Sequence, residues 1–446
     1  MSYKICLISL GCSKNLVESE HILYAVREEG YDLTNDVNEA DIAIINTCGF
    51  ISAASLESIE QIINIGKLKK VGKLKYLMVT GCLVQRYKDD LLGEMPEIDA
   101  VISAPSPEGI VNAIKAMEGS VKFSDTERDV YIKEYPRILS TPTYMAYVKI
   151  SEGCNNNCSF CTIPSIKGRY KSRTIESIVD EVNMLSHNGV REIVIVAQDT
   201  ARYGMDIYKK MALGDLLRQL SSVDGIQWIR LMYCYPEAIT DELVDVIKSE
   251  PKICHYLDIP IQHCSDRILK SMHRDSSNKH LISIIKNLKK NIPNIVLRTT
   301  LMVGYPGESE EEFHKLISFM KEMRFDNLGV FSYSREEGTE AYDLPGQIKS
   351  KVKTDRKKEV MLLQRKISYS KNSKRVGKVF DVLIEEKISE GRYKGRYYGQ
   401  APEVDGNYYV NSKTNLNIGD FVKALTTKTN IYDLEGDALG DDGTYQ

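Results

Sequence analysis

The sequence predicts a multidomain α/β fold with three parts: an N-terminal parallel α/β domain, a central partial (β/α) barrel, and a small C-terminal β-barrel of the OB-like type. Short apolar runs alternate with amphipathic helical patterns over residues 1–120, which is typical of a parallel sheet. The same alternation resumes in the central part, and short strand patterns with glycine turns follow it. We therefore expect domains at residues 1–120, 140–372 and 376–443.

The composition indicates an intracellular enzyme. A chain of 446 residues with 42% hydrophobic and 27% charged residues suits two or three globular domains. Its ten cysteines are too sparse for a secreted disulfide scaffold, so we interpret them as metal ligands and buried thiols. The apolar run at residues 5–10 is too short for a signal peptide or a membrane span. We expect a cytoplasmic protein with no membrane partner, and the net charge of −3 gives no global sign of nucleic-acid binding.

Three cysteines in the N-terminal part follow three predicted strands, which we place at residues 4–9, 42–46 and 76–80. Helices are predicted between them at 17–29 and 56–65. Residues just past the carboxyl ends of parallel strands lie along one edge of the sheet, so these thiols can converge. Each has a glycine neighbour that permits a tight turn. The sequence therefore predicts a second metal site, and the alternative is three unrelated buried thiols. The cysteines and their neighbours are Cys12 with Gly11, Cys48 with Gly49, and Cys82 with Gly81.

A polar stretch at 120–143 is predicted to be a linker, and six barrel strands follow it. We place these strands at residues 144–150, 192–197, 227–232, 256–259, 295–302 and 327–331. A CxxxCxxC loop, Cys154, Cys158 and Cys161, comes directly after the first of them. Three thiolates leave one metal position open, whereas a structural zinc site takes four protein ligands and a ferredoxin cluster takes a fourth cysteine. The alternative is a zinc loop whose fourth ligand lies elsewhere.

This loop resembles that of the radical S-adenosylmethionine enzymes, including the aromatic Phe160 before its last cysteine. In those enzymes the free iron of a 4Fe-4S cluster binds the cofactor. Polar residues follow later strands on the same face, and we expect them to line the cofactor pocket. His263 could equally be a packed, hydrogen-bonded histidine, and the GYPGE segment an ordinary turn. The expected pocket residues are Gln198, Asp199, Gln262, His263, Gly304 and Gly307. The four other cysteines are interpreted as structural thiols: Cys6, Cys234, Cys254 and Cys264.

The C-terminal third begins with a lysine-rich, helix-compatible segment at 349–375. A solvated face or connector and a binding role remain equally open for it. Five strands are then predicted at 378–385, 392–398, 408–410, 421–427 and 431–434, as expected for a small barrel.

Together these motifs resemble the methylthiotransferase family of radical S-adenosylmethionine enzymes over nearly the whole chain. The matching segments are SLGCSKNLVESE, INTCGFISAASLESI, KISEGCNNNCSFCTIPSIKGRYKSR, AQDTARYG and YLDIPIQHCSDRILKSMHR. They are most similar to the branch that modifies an aspartate on the twelfth protein of the small ribosomal subunit. Ser13 stands where that branch more often has proline, and it is not a ligand. The resemblance implies a central radical domain and a C-terminal TRAM barrel.

The resemblance also implies the cofactors and partners. Cys154, Cys158 and Cys161 would hold the radical 4Fe-4S cluster, and Cys12, Cys48 and Cys82 would hold a second 4Fe-4S cluster that binds an exogenous sulfur. S-adenosyl-L-methionine would supply both a methyl group and the radical that abstracts hydrogen from the β-carbon of the aspartate. The implied partners are a small-subunit ribosomal protein as substrate, an electron donor such as flavodoxin or ferredoxin, and a sulfur donor.

Two other functions remain open. One is a tRNA methylthiotransferase with the same chemistry, and the other is a non-catalytic iron–sulfur or RNA-binding protein that senses redox state. Residues 376–446 carry 8 Lys/Arg and 12 Asp/Glu, which suits a basic protein better than tRNA phosphates. Direct RNA contact is not favoured, and the lysine-rich segment at 349–375 is the counter-evidence because it could contact RNA. We expect Glu385, Glu386 and Glu403 to bind the substrate, and we expect the barrel tyrosines Tyr393, Tyr397 and Tyr398 to be packing residues rather than a stacking surface.

Overall fold

The computed structural model describes residues 3–103, 106–118, 123–125 and 136–440. Its N-terminal domain is a six-stranded parallel sheet flanked by helices. The elements in chain order are β1 Lys4–Ser9, α1 Ser13–Glu28, β2 Asp32–Leu33, β3 Ile42–Thr47, α2 Ser52–Lys70, β4 Tyr76–Gly81, α3 Cys82–Glu94, β5 Ala100–Ile102, α4 Pro107–Glu118 and β6 Phe123–Asp125. The sheet order is β2-β1-β3-β4-β5-β6. Every residue of β3 is buried, because helices cover both faces of the sheet. The three predicted strands are present, and the short strands β2, β5 and β6 are additions to the prediction.

The central domain contains the six predicted barrel strands in one parallel sheet. Its elements are β7 Met145–Lys149, β8 Ser151–Glu152, α5 Ile163–Lys167, β9 Lys171–Ser172, α6 Ile175–His187, β10 Glu192–Val196, α7 Leu213–Ser221, β11 Trp228–Leu231, α8 Asp241–Ser249, β12 Ile253–Gln262, α9 Asp266–Ser271, α10 Asn278–Asn291, β13 Val296–Val303, α11 Glu310–Met323, β14 Asn327–Ser332 and α12 Glu340–Asp343. The order β14-β13-β12-β11-β10-β7 leaves β7 and β14 at the edges, so the prediction of a partial barrel is confirmed. In four of its helices a threonine or serine side chain accepts a capping hydrogen bond at the first turn, for example Ser309, which forms a capping box with Glu312.

The lysine-rich segment forms α13, Ser350–Ser373, and leads into a closed five-stranded barrel. The barrel strands are β15 Val379–Ser389, β16 Arg392–Tyr397, β17 Tyr408–Asn411, β18 Phe421–Thr429 and β19 Leu434–Ala438. The predicted barrel is confirmed, but the last strand was wrongly placed at 431–434. Asp433 closes a turn there instead, accepting a hydrogen bond from the Asn407 N–H at 2.8 Å. Tyr393 and Tyr397 lie in the barrel core, as expected for packing residues.

The three domains share buried contacts. One apolar cluster combines Val17 of α1, Tyr147 and Val194 of the central sheet, and Leu383 and Ala401 of the C-terminal barrel. The predicted linker at 120–143 lies partly outside the described residues, but its last part is docked: Arg137 and Ser140 both contact the carboxylate of Glu20, at 2.9 and 2.8 Å. None of the described helices is long and apolar enough to cross a membrane.

Two buried carboxylates join the C-terminal barrel to the central sheet. Glu192 is fully buried and lies 2.7 Å from Arg230 and 2.6 Å from Arg396 of the barrel. Asp405 of the barrel lies 2.6 Å from Arg298 of β13 and accepts a 2.7 Å hydrogen bond from Tyr256. Since unpaired buried charges are costly, these bonds fix how the barrel sits on the sheet.

Candidate active site at the carboxyl ends of two sheets

The three N-terminal cysteines lie together where β1, β3 and β4 end. Cys12 caps α1, Cys48 follows β3, and Cys82 begins α3. The sulfur atoms of Cys12 and Cys82 lie 4.0 and 3.9 Å from the same atom, Oδ1 of Asn15. The Cys48 sulfur reaches the same place, since a Cβ added to Gly11 would lie 3.0 Å from it. The structure thus brings together thiols that are far apart in sequence.

Glycine is required at two of the turns that carry these thiols. Gly11 has φ +90, and a Cβ there would lie 2.8 Å from the Cβ of Cys48. Gly81 has φ +97, and a Cβ there would lie 2.5 Å from the Thr47 carbonyl oxygen. Side chains are therefore excluded both by backbone conformation and by space, so the glycines allow the strand ends to approach closely.

The CxxxCxxC loop is held by its own backbone at the end of the central sheet. Cys154 donates its N–H to the Gly168 carbonyl at 3.2 Å, and the Cys161 N–H donates to the Cys158 carbonyl at 3.0 Å. The N–H groups of Asn156 and Ile163 each donate to a cysteine sulfur, Cys154 and Cys161 respectively, at 3.4 Å. Hydrogen bonds of this kind favour the thiolate form that a metal needs.

The third sulfur of this loop has a cationic and phenolic environment. The Tyr235 hydroxyl lies 3.5 Å from the Cys158 sulfur, and the Arg274 guanidinium approaches that sulfur at 4.0 Å. Arg274 also stacks 3.7 Å above the Tyr235 ring and donates to the Pro260 carbonyl at 2.6 Å. The sequence analysis placed residues 233–237 on this face but named neither Tyr235 nor Arg274 as a site residue, because neither belongs to a metal-binding spacing.

The donor sets fit iron–sulfur clusters. Burial raises the pKa of Cys82 and Cys161 to about 12 and that of Cys154 to about 11, so a bound cation must stabilise their thiolates at neutral pH. Among the residues that the structure describes, no three His, Cys, Asp or Glu side chains stand close enough to hold one metal ion. A four-iron cluster needs a wider spacing between its ligands than a single ion does, because each thiolate binds a different iron.

Two predicted pocket residues lie beside the CxxxCxxC loop and have unused acceptors. Asn156 donates to Oδ2 of the fully buried Asp199 at 2.9 Å, and Gln198 donates to Glu152 at 2.6 Å. Within the described chain, Oδ1 of Asp199 and Oε1 of Gln198 have no hydrogen-bond partner. Burial raises the pKa of Asp199. Orphaned buried acceptors are costly, so these two atoms fit a ligand that carries amino or hydroxyl donors.

The remaining predicted pocket residues are engaged with the protein. His263 is fully buried; its Nδ1 accepts from the Ser265 N–H at 2.9 Å, and its Nε2 lies 3.4 Å from Glu308. Gly304 donates to Glu308, and Gly307 donates to the Gly346 carbonyl at 2.9 Å. Gln262 has φ +66, a strained backbone conformation of the kind that collects at functional sites. A contact of these four residues with the cofactor stays a prediction.

A buried charge network joins the two cysteine sites, and the sequence analysis missed it. Glu18 of α1 lies 3.0 Å from Lys149 and 2.7 Å from Lys167 of the central domain. Glu152 lies 2.6 Å from Lys149. Burial alone would raise the pKa of Glu152, but the ammonium groups of Lys149 and Lys167 lower it well below its usual range. The network keeps its charges and holds the N-terminal domain against the radical loop.

The three acids expected to bind substrate differ in their surroundings. Glu385 accepts a 2.8 Å hydrogen bond from Arg396 and is mostly buried, and Glu386 forms an ion pair with Lys394. Glu403 is exposed, has φ +67, and has no cation within ion-pair distance in the described part of the chain. Only Glu403 is therefore free to meet a basic partner without first breaking an ion pair.

The four remaining cysteines are all buried, as the sequence analysis expected of structural thiols. Cys6 lies in the core of the N-terminal domain, Cys234 and Cys264 lie in that of the central domain, and Cys254 lies in the cluster shared by all three domains.

Comparison with known families divides the chain in the same order. Residues 4–103 match the family described as Uncharacterized protein family UPF0004, 148–320 match the Radical SAM superfamily, and 376–439 match the TRAM domain. Among solved structures, the radical S-adenosylmethionine methyltransferase TsrM from Kitasatospora setae, with cobalamin and a [4Fe-4S] cluster bound, superposes with a TM-score of 0.58 at 12% identity. The match covers 88% of this chain and 77% of that one. It supports the fold alone.

Two bacterial relatives match over almost their whole length. A protein of Clostridioides difficile (strain 630), ribosomal protein uS12 methylthiotransferase RimO, is 48% identical over 98% of this chain and 99% of its own. The protein of the same name from Thermoanaerobacter sp. (strain X514) is 50% identical over 97% of this chain and 99% of its own. The radical SAM match assigns an iron–sulfur cluster and S-adenosylmethionine to the central domain. With both cysteine sets present and the three domains in order, the chain belongs to the RimO family of radical S-adenosylmethionine methylthiotransferases.

Proposed function

We propose that this enzyme adds a methylthio group to the β-carbon of an aspartate on ribosomal protein uS12, using two 4Fe-4S clusters. Cys154, Cys158 and Cys161 would hold the radical cluster, and Cys12, Cys48 and Cys82 the second. One observation carries the proposal: the two cysteine loops are in direct contact. Thr162, next to the last radical cysteine, donates to the Phe50 carbonyl at 3.2 Å, two residues beyond Cys48.

The protein positions the cofactors and the substrate relative to each other and shields the reactive centres. When bound, the clusters and S-adenosylmethionine supply the electron, the radical and the sulfur for a carbon–hydrogen bond that no side chain can break near neutral pH. The chain holds the two sets of thiols at a fixed separation through Glu18, Lys149 and Lys167. Gln198 and Asp199 offer their unused acceptors to the cofactor. A rigid frame of this kind lets one substrate carbon meet both centres.

The substrate assignment rests on the relatives and on the C-terminal barrel. Relatives at 48–50% identity carry the uS12 name. The barrel's excess of acids suits a basic ribosomal protein, and Tyr393 and Tyr397, being buried, offer no surface on which a base could stack. We further propose a cytoplasmic enzyme that takes electrons from a flavodoxin- or ferredoxin-type donor and sulfur from a separate donor.

A tRNA substrate is the second candidate, and α13 is the observation that favours it. Eight exposed cations on and beside this helix have no carboxylate within ion-pair distance in the described chain, so they could meet phosphates. They are Lys349, Lys351, Lys357, Lys358, Arg365, Lys366, Lys374 and Lys378.

Iron content and product formation test the two-cluster proposal. Anaerobically reconstituted protein should bind about eight irons, four per three-cysteine set. Replacing Cys154, Cys158 and Cys161 with alanine should abolish 5′-deoxyadenosine formation. Replacing Cys12, Cys48 and Cys82 should halve the iron, keep cofactor cleavage and stop methylthio transfer. If the second variant kept all its iron and formed full product, the second cluster would be disproved.

Substrate choice needs a separate measurement. The enzyme is offered a uS12 peptide and unmodified tRNA side by side, and the mass gain of one methylthio group is followed on each. We expect it on the peptide. A gain on the tRNA alone would replace uS12 by tRNA as the substrate.

A further inference from the structure

Lys14 is a buried lysine that forms no ion pair with a described carboxylate, although Glu152 and Asp258 are near enough to favour its charged form. Its side chain is only 9% exposed, and its ammonium lies 3.6 Å from the centroid of the Tyr233 ring. No described carboxylate lies within 4.0 Å of it. A buried ammonium without a carboxylate or hydrogen-bond acceptor within bonding distance is costly, and a single aromatic face offsets only part of that cost.

The other cations around this site each have at least one polar partner. Arg274 donates to the Pro260 carbonyl and faces the Cys158 sulfur, at 2.6 and 4.0 Å. Six further cations each have a carboxylate within ion-pair distance: Lys149, Lys167, Arg202, Arg230, Arg298 and Arg396. Within the described chain, Lys14 therefore has neither a carboxylate within ion-pair distance nor a hydrogen-bond acceptor at its ammonium, so it can pair with an incoming anion.

Lys14 stands between the two cysteine sites. It lies two residues after Cys12 on the first turn of α1, and its ammonium reaches across to Tyr233 at the carboxyl end of β11. Tyr233 has φ +60, and its N–H donates to Asp258 at 3.1 Å, which fixes the ring beneath the ammonium. The ammonium therefore lies on the side of the second cysteine site that faces the carboxyl ends of the central strands.

We propose that Lys14 binds the side-chain carboxylate of the aspartate that is modified. The inference rests on the proposed function and adds the group that selects aspartate over its neutral amide, asparagine. A carboxylate that approaches this largely buried ammonium loses part of its hydration, and the ion pair that it forms offsets that loss. Holding the carboxylate also fixes the adjacent β-carbon, the atom that is to react. No bond forms or breaks at Lys14, so it is a specificity and positioning residue.

A purely structural role makes a different prediction. If Lys14 only balanced the negative charge of the Cys12 site, its removal would change iron retention or the reduction potential of the second cluster. It would not change the choice between aspartate and asparagine. The ratio of the two affinities is therefore the informative measurement.

The test uses reconstituted holoenzyme and two uS12 peptides that differ only by Asp or Asn at the target position. Affinities are measured anaerobically with S-adenosylmethionine present. The wild-type enzyme should prefer the Asp peptide about tenfold, as expected for a largely desolvated charge pair. In Lys14→Met this ratio should fall to about one, and Lys14→Arg should retain part of it. Lys75→Met is the matched control, because Lys75 also stacks on a tyrosine, Tyr3, but lies at the surface. It should keep the full ratio.

A second measurement covers the case in which Lys14→Met loses iron. When the Asp peptide is activated with a carbodiimide and added to wild-type holoenzyme, its carboxyl should form an amide with Lys14, identified by mass spectrometry. Cross-linking only to other lysines would overturn the inference, as would an unchanged Asp/Asn ratio in iron-replete Lys14→Met. If the wild-type enzyme bound neither peptide and modified tRNA instead, the proposed function itself would fail, and this inference with it.

Discussion

The ammonium of Lys167 lies 2.7 Å from the carboxylate of Glu18, and both side chains are more than nine-tenths buried. The pair joins the end of α5, just after the radical loop, to the helix that follows Cys12. Contact between the domains thus depends on charges that are shielded from water.

We predict that Glu18→Ala lowers the free energy of unfolding by about 3–5 kcal/mol, because it leaves two ammonium groups buried with one carboxylate between them. Urea unfolding of the reduced apoprotein measures this. The control is Glu29→Ala, which removes an exposed partner of Lys115 and should cost less than about 1 kcal/mol. Equal losses in the two variants would contradict a structural role for the buried network.

Gly11→Ala should remove iron from the second site while leaving the radical site loaded. The new methyl group would press on Cys48 and move its sulfur away from the other two. We expect about four of eight irons to be retained, with 5′-deoxyadenosine still formed. Gly30→Ala is a close control, since Gly30 has φ +87 but open space around it. Iron loss in both variants would mean that backbone strain, and not the contact with Cys48, is the cause.

Asp258 should make the stability of the protein depend on pH. Burial raises its pKa to about 6, while nearby Arg298 opposes the shift only in part. The folded state thus holds this proton more tightly than the unfolded chain, whose aspartates titrate near about 4. Ionisation of Asp258 therefore costs stability progressively as the pH rises from about 4 to about 6, to a total of about 3 kcal/mol.

Asp258→Asn should consequently be more stable than the wild type at pH 7.5 and should lose that advantage at pH 4. Urea unfolding of the apoproteins across this range measures the difference. Asp245→Asn, an exposed change on α8, should show no such trend. A constant difference between Asp258→Asn and the wild type would refute the assignment.

Glu403→Lys should weaken binding of the uS12 peptide several-fold, with the effect shrinking as salt is added. Glu385→Lys and Glu386→Lys are expected to weaken binding too. Glu385→Lys is less informative than Glu403→Lys, because it also breaks the buried pair between Glu385 and Arg396. Affinity at two ionic strengths is the measurement, and Glu390→Lys, at an exposed hairpin position, is the control. If Glu390→Lys weakened binding as much as Glu403→Lys, overall charge would be the cause.

The strands and cysteine loops could be predicted because their signals are local. Residues 4–9 are a largely apolar run that is followed closely by Gly11 and Cys12, and the structure has a strand with those bounds. The last barrel strand was misplaced because its sequence, LEGDA, carries two acids and a glycine, whereas the turn before it contains Ile431 and Tyr432. Local pattern therefore fails where a polar strand is stabilised by barrel closure.

The buried charges could not be predicted for a different reason. In SLGCSKNLVESE, nothing local distinguishes a buried glutamate from a solvated one. Glu18 is buried because Lys167 meets it from 149 positions later in the chain. The same applies to Lys14, whose surroundings are completed by Tyr233. The burial of such residues can be recognised only once the arrangement of the domains is known.

The fully buried Glu192, between Arg230 and Arg396, has a consequence for how this enzyme can evolve and be engineered. The TRAM barrel has well-defined sequence boundaries, yet its removal would take Arg396 away from Glu192 and Asp405 away from Arg298 in the central domain. The barrel and the central sheet should therefore melt in one cooperative transition. A barrel transplanted from a relative should be accepted only if it brings its own equivalent of Arg396. Specificity grafts in this family must therefore be designed across that junction and not at the linker.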